Sequence, residues 1–581
     1  MFLYYWFPGF IFQALSYFSW LSWIKPNNFN LAVVTGSQLG LSFNPWPTFD
    51  WNLIGFFNPL SVPFFSFLQQ YIGTFIGGLA ILGVYFSNNK WTAYLPINSS
   101  GLYDNTGNDY NVTKVMTNGR LNEEMYKKYS PPFYTAGNLV LYGAFFLSYP
   151  LVFCYVLLDQ WKVVVRAYGD VWHLIKESTR KTFTHIKSAF LDLFSGSVKG
   201  FFIELSKIFS GGGSVYDGFD DPFTRAIRSY PEVPNWWFYL VVLISFIFSL
   251  IILTRYPLGT PVWTIFFVIG INLAFLVPMN LLSSIAGATI GLNVIAELIV
   301  GYALPGNPEA LMFVKAYGYN IDGQASTYTS DQKMAHYARI PPRAVFRGQV
   351  LSTIITSFVG YGIVNFVDNS IQGICTPDQG EHFTCANGSL IYFSSSVIWG
   401  LIGPKRIFND QYPVLKWMFL FGFLLAIAWW SVKKYGPSIR EWVKSKAPEL
   451  VYNVLNWTIF YPISLLRSTQ PALVAIGFLE WAPLNLSFQT VGLYFSIYFM
   501  YYLRRNKTSW WERYNYVLSA ALSAGLAFSG IIVFFAVQYH PQYINWWGNN
   551  VVLEGVDGYA GQVALKTELP EKGYFGPDEW A

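Results

Sequence analysis

Two carboxylates, Glu297 and Glu480, stand inside otherwise apolar runs of the chain. An ionisable side chain at membrane depth is expensive to hold, so each is by default a candidate for work on an ion or a polar solute. The competing reading makes each a helix-terminal residue or half of an interfacial ion pair. The stretch 291–349 concentrates further polar chemistry: Asn293, Lys315, Asp331, Lys333, His336, Arg339, Arg343 and Gln349. Gln349, on a helix inside the membrane, needs a second helix or a ligand as its partner. Asn293 could bond an amide group of a solute or satisfy backbone groups freed at a helix break. Arg339 and Arg343 offer forks that fit a carboxylate, or they anchor a positive face; Lys315 shares both readings. Phe346 is placed to line a cavity or simply to pack. His336 is a candidate proton-handling group by residue type, or is only a hydrogen-bonding loop residue.

Other chemistries are missing. With 5 His and none in a paired motif, no acid–base constellation supports a membrane-embedded transferase or any other enzyme. Gly211-Gly212-Gly213 is followed by no Gly-Lys-Ser/Thr, so it is a hinge and not a phosphate loop. No cofactor or metal is expected. Of the 3 Cys, Cys154 lies in an apolar run, while Cys375 and Cys385 bracket a polar loop. The latter two read as a disulfide on an oxidising side rather than a metal pair with His382.

The elements that position these groups follow from composition. Of 581 residues, 53% are hydrophobic, 20% aromatic and only 12% charged, against about 25% charged in soluble domains. That is too little polar surface for a water-facing globule, and Trp and Tyr in such numbers belong at membrane–water boundaries. No dense basic block points to nucleic acid. The fold class expected is all-α, a polytopic transmembrane protein, with spans at 3–23, 71–86, 138–158, 237–253, 262–279, 344–367, 417–432, 451–466, 493–503 with its upstream apolar run, and 516–537. Shorter apolar stretches broken by Pro and Gly, at 29–43, 53–68, 281–304, 397–402 and 471–484, read as discontinuous or re-entrant helices. Irregular backbone at that depth is tolerated only against protein or a wet cavity. A water-filled chamber around 281–349 is therefore expected.

Four regions result: 1–160, with spans and an outer loop at 87–135; an amphipathic cytoplasmic insertion at 161–236; a transmembrane core at 237–538; and a tail at 539–581. Sequons at Asn98, Asn111 and Asn387 put the loop 87–135 and the Cys375–Cys385 loop outside. Basic stretches at 162–228, 433–446 and 504–513 put those loops inside. Counting crossings then requires 281–343 to start and end inside. The segment 281–304 must either dip and return or pair with a second short span near Met312. The same count puts the tail outside.

The block Arg339-Ile340-Pro341-Pro342-Arg343 resembles the second signature of the oligopeptide transporter family, Lys-Ile-Pro-Pro-Arg, with Arg339 replacing the Lys. Its surroundings are similar too: Gly306-Asn307-Pro308 before it, Asp331-Gln332-Lys333-Met334-Ala335-His336-Tyr337 leading into it, and Trp399-Gly400-Leu401-Ile402-Gly403-Pro404 after it. Trp510-Trp511-Glu512-Arg513-Tyr514 and Trp6-Phe7-Pro8-Gly9 match the family's last and early blocks. The resemblance covers nearly all of the chain and favours the peptide-transporting branch of fungi and plants over the metal-chelate or siderophore branch. It implies import of small peptides, glutathione-like tripeptides among them, by proton symport. The partners implied are peptides, protons and the lipid bilayer, in the plasma membrane or an internal one; oligomeric state stays open. With proton symport, Glu297 and Glu480 are candidate proton carriers beside their structural readings, and Arg339 and Arg343 stay divided between holding a peptide carboxylate and anchoring a positive face. The family's first signature, built on Asn-Pro-Gly, is absent, which reads as a truncated gene model, a shortened relative or a non-transporting remnant.

Overall fold

In a bilayer every backbone N–H and C=O must be satisfied internally, so apolar runs of this length become helices. The computed structural model describes residues 2–195, 197–209, 220–287, 290–374, 387–539, 544–558, 568–578 and 580. Among them, seven helices are long and apolar enough to cross a membrane. The only regular sheet among the described residues pairs Met116–Thr117 with Arg120–Leu121 in the polar loop.

Helix α1, Phe64–Phe86, rises to the loop 87–135. Helix α2, Ala136–Phe194, leaves that loop and runs for 59 residues, bending at Gln160 (φ −117°, ψ 24°). Helix α3, Val198–Phe209, folds back on it through His185 Nδ1 and Glu204 Oε2 at 2.8 Å. Helix α4, Pro222–Ile227, is capped by Asp221, whose carboxylate accepts from the N–H groups of Phe223 and Thr224. The Thr224 hydroxyl and these amides hold the Asp221 carboxyl at about 2. Helices α5, Asn235–Arg255, and α6, Trp263–Ala286, follow, touching through the rings of Phe246 and Phe266 at 5.8 Å. Gly287, at φ +71°, ends α6, in the left-handed region that Gly adopts without penalty.

A short helix, α7, Asn293–Ala303, then returns the chain. Helix α8, Pro308–Ala338, starts with Pro at its first turn and Asn307 as its cap, a good helix start on both counts. Helix α9, Pro342–Ser370, follows the Pro-Pro corner. Helix α10, Val414–Lys446, packs along α2. Helix α11, Pro471–Phe478, is a half-helix laid against α1. A Cβ on Gly73 would lie 2.0 Å from the Val474 carbonyl oxygen, and one on Gly477 2.1 Å from that of Gln70. Only glycines permit this backbone approach. Helix α12, Thr508–Val533, is the last long one.

Two faces are readable from contacts. On the face of the loop 87–135, Arg120 Nη1 donates to the Gly306 oxygen at 3.3 Å, Asn307 Nδ2 to the Gly259 oxygen at 2.9 Å, and Arg406 pairs with Glu123. On the opposite face, Arg343 Nε donates to the Glu232 oxygen at 2.8 Å. Helix α8 therefore crosses from one face to the other; its 31 residues span about 46 Å. This is the second crossing required after 281–304, and it is longer than the short stretch near Met312. The tail lies on the loop face, where the Phe575 N–H donates to the Asn105 oxygen at 2.9 Å and its ring packs on Trp91, Tyr94 and Phe133.

Three expectations change. The run 3–23 is no single span: it breaks into helical segments Phe2–Ile11, Gln13–Leu15 and Trp20–Trp23, interrupted where Phe12 and Ser19 leave helical backbone angles. The boundary drawn at 160–161 falls inside α2, which continues to Phe194 into the stretch expected as the amphipathic insertion. The run 451–466 is helical, as Glu449–Leu455, Asn456–Phe460 and Tyr461–Ser468, but is not among the seven membrane-length helices. The interruptions expected at 29–43, 53–68, 281–304 and 471–484 are all present, as helical segments Phe29–Thr35, Trp51–Ile54, α7 and α11 followed by non-helical chain.

Candidate functional site

Helices α7 and α8 run antiparallel, and this brings two charges together in the core. Lys315 Nζ lies 2.7 Å from Glu297 Oε1, with the side chains only 4% and 2% exposed. Lys315 also sits over the Tyr392 ring, 4.5 Å from its centroid. The Ser395 hydroxyl faces the carboxylate, and Tyr134, Tyr142 and Tyr149 are close enough to feel its charge. Removing two ions from water costs several kcal/mol each, and a matched pair offsets that only with good geometry.

The break before α7 is braced. The Tyr149 hydroxyl of α2 donates to the Gly291 oxygen at 2.8 Å. A Cβ on Gly291 would lie 2.7 Å from the Tyr319 ring and 3.3 Å from Asn293 Oδ1. Tyr319 sits about 16 Å along α8 from its start, so the break lies about a third of the way along that helix. Asn272 Nδ2 of α6 donates to the Val268 oxygen at 2.8 Å and the Gly318 oxygen at 3.3 Å. The Tyr317 and Ser249 hydroxyls bond each other, joining α8 to α5. Asp322, only 7% exposed, lies two turns beyond Lys315 on α8. The position of Asp322 and Ser395 was not flagged by sequence; the signal for Asp322 is a carboxylate at i+7 from a buried lysine.

The remaining candidates stand elsewhere. Arg339 and Lys315 are separated by about 36 Å along α8. Arg339 is exposed, in left-handed backbone at φ +58°, with its guanidinium over the Phe223 ring at 5.5 Å. Arg343 ties α9 to the chain before α5. Phe346 packs on Trp237 and Phe238 at 5.4 and 4.9 Å. Gln349 finds its partner on a helix: its Oε1 accepts from Gln332 Nε2 at 3.1 Å, and its Nε2 donates to Asp331 Oδ2 at 3.3 Å. These four residues build the corner between α8 and α9. They do not share a chamber with Glu297, because α8 is an uninterrupted helix of 31 residues that holds its two ends apart. Glu480 is half-buried in the turn after α11, and among the described residues it makes no hydrogen bond or ion pair. A largely apolar cavity of about 450 Å³ lies between α1, α2, α10 and α11, lined in part by Gly143, Leu147, Met418 and Val474. None of the sequence-derived candidates lines it.

Of the sequons, Asn111 is exposed, with Oδ1 accepting from Thr113 N and Oγ1. Asn98 is committed: Nδ2 donates to the oxygens of Leu484 at 2.8 Å and Pro483 at 3.4 Å, and Oδ1 accepts from Ala482 N at 2.9 Å. A glycan on Asn98 would break this clasp, so the structure speaks against that site. The side chain of Asn387, and Cys375 and Cys385 with their disulfide, lie outside the described residues.

A polytopic helical bundle with seven helices of membrane length among the described residues, and interrupted helices around a sealed ion pair, is an integral membrane protein. The chain belongs to the oligopeptide transporter family: the family described as "OPT oligopeptide transporter protein" matches residues 1–537. It is 41% identical over 578 residues to "Oligopeptide transporter 2" of Saccharomyces cerevisiae, covering 99% of this chain and 60% of that one. "Oligopeptide transporter 1" of Arabidopsis thaliana is 31% identical over 561 residues, 94% of this chain and 66% of that one. "Glutathione transporter 1" of Schizosaccharomyces pombe is 30% identical over 564 residues, 96% of this chain and 58% of that one. The chain thus spans about six tenths of the length of these relatives. No solved structure matches.

Proposed function

We propose that this protein carries small peptides into the cell across the plasma membrane, driven by protons, with the Glu297–Lys315 pair as the coupling element. The observation that carries the reading is that pair, sealed at 2.7 Å beside the helix break that precedes α7. Freed backbone groups at such a break can read a polar solute. Protonation of Glu297 removes the charge that holds Lys315, leaving a buried ammonium that must find an anion or water. That demand couples a proton to a rearrangement of α7 against α8. The names of the relatives, oligopeptide and glutathione transporters, support peptides as the substrate class, tripeptides of the glutathione kind among them.

The test is uptake of a labelled tripeptide or tetrapeptide by proteoliposomes, with and without an inward acid gradient. Accumulation that needs the gradient, and that an unlabelled peptide but not a metal chelate competes away, is the expected result. Chelate uptake without peptide uptake would move the protein to the metal-chelate branch. No uptake of either would remove the carrier reading for this chain.

A further inference from the structure

The backbone around 36–40 gathers its donors on one point. Leu39 N and Gly40 N donate to Asp557 Oδ1 at 3.1 and 3.2 Å, and Gln38 N reaches Oδ2 at 3.5 Å. The Ser19 hydroxyl donates to Oδ2 at 2.5 Å, and in turn accepts from Ser37 N at 2.8 Å. Asn485 holds the turn from behind, donating from Nδ2 to the oxygens of Ser37 at 3.1 Å and Gly40 at 3.0 Å. Asp557 is 7% exposed, and among the described residues no Lys, Arg or His forms an ion pair with it. Gly36 leaves the room: a Cβ there would lie 1.9 Å from Asp557 Oδ1.

Successive backbone N–H groups converging in this way make an anion-binding nest, and such nests are one way a peptide C-terminal carboxylate is captured. The carboxylate that fills this one comes from far away in sequence. Asp557 belongs to a strap, 544–558, that crosses the N-terminal part of the chain. Trp546 Nε1 donates to the Ile11 oxygen at 2.8 Å, Asn549 Nδ2 to the Phe10 oxygen at 3.1 Å, and Val556 N to the Pro26 oxygen at 2.9 Å. The nest lies within the stretch matched to the family, 1–537, and its occupant lies beyond it.

We propose that the turn 36–40 with Ser19 is a binding site for a ligand carboxylate, and that Asp557 is its built-in occupant. The C-terminal carboxylate of a peptide, the substrate class proposed above, exchanges with Asp557 and lifts the strap. The donors are all neutral, so the site selects an acid over its amide by hydrogen-bond polarity: an amide NH₂ would face N–H groups.

The experiment needs no transport, so it separates the nest from the carrier reading. The purified full chain in nanodiscs, as wild type, Asp557→Ala and Asp557→Asn, is titrated with an N-acetylated dipeptide acid and with its C-terminal amide, by calorimetry. Asp557→Ala is expected to bind the acid at least tenfold more tightly than wild type and the amide no better. Asp557→Asn, which keeps the volume of the plug, should gain less. If folded Asp557→Ala binds the acid no better than wild type, or binds acid and amide alike, the site is a fixed structural clasp and the proposal fails. Should Asp557→Ala not fold, Trp546→Phe loosens the strap by removing its bond to the Ile11 oxygen and leaves every donor of the nest in place; unchanged acid binding in that variant overturns the proposal equally.

Discussion

Lys315 and Glu297 face each other across α7 and α8, 2.7 Å apart and almost wholly shielded from solvent, while the two arginines of the Pro-Pro corner stand at the far end of α8. Charge in this protein is thus divided between a buried pair in the first third of α8 and an anchoring corner at one face. The two should respond differently to mutation.

Breaking the pair on one side leaves an uncompensated buried charge. Lys315→Met and Glu297→Leu are each expected to destabilise the folded protein by about 3–5 kcal/mol. The double variant should recover much of that loss, because an apolar replacement of both partners is often neutral. Thermal unfolding in detergent or nanodiscs reads this; equal, additive losses would mean that the two charges do not interact.

At the corner, Arg343→Ala removes one bond to the Glu232 oxygen from a half-exposed side chain. The expected cost is about 1.5 kcal/mol, at the low end for a charged hydrogen bond. Gln349→Ala should cost a similar amount by unlinking α9 from Asp331 and Gln332. Neither variant should change the peptide affinity of the carrier; a tenfold loss in affinity would return these residues to the substrate site.

The contact of α1 with α11 leaves no space for a side chain. Gly73→Leu or Gly477→Leu is expected to force the helices apart, at about 1–3 kcal/mol or more, and to lower the yield of monodisperse protein in size-exclusion chromatography. Gly83→Leu, on the same helix but with open space around it, is the control that should behave as wild type.

Asn98 and Asn111 should part company in a glycosylation assay. Asn111→Gln is expected to abolish an endoglycosidase-sensitive mobility shift attributable to the loop 87–135. Asn98→Gln should leave the shift and instead destabilise the clasp on 482–484 by about 1–3 kcal/mol. A second glycan lost with Asn98→Gln would contradict the geometry.

Much of this was legible in the sequence. Long apolar runs such as 138–158 and 237–253 could only be buried as helices, and the Pro- and Gly-broken stretches marked where helices stop. Glu297 stood out because an acid in an apolar run has so few fates. What was not legible has one cause, long-range pairing. Helix α8 looks too polar to cross, yet it crosses because its polar groups, Lys315 and Asn307 among them, find partners on α7 and in the loop before α6. Gln349 was left between a second helix and a ligand, since its partners Asp331 and Gln332 are brought to it only by the Pro341-Pro342 corner. Asp557 gave no local signal at all: its donors sit more than five hundred positions earlier in the chain. The extension of α2 past Gln160 was hidden by a change from uniformly apolar to amphipathic residues, which marks a change of surroundings and not the end of a helix.

The most direct test of the coupling role of Glu297 compares two modes of transport in one variant, Glu297→Gln. In proteoliposomes, exchange of labelled for unlabelled peptide needs no net proton movement, whereas accumulation against a gradient does. The amide keeps the shape but cannot carry the proton, so exchange should persist while acid-driven accumulation disappears. If Glu297→Gln still accumulates peptide with the pH dependence of the wild type, the pair does not couple protons to transport.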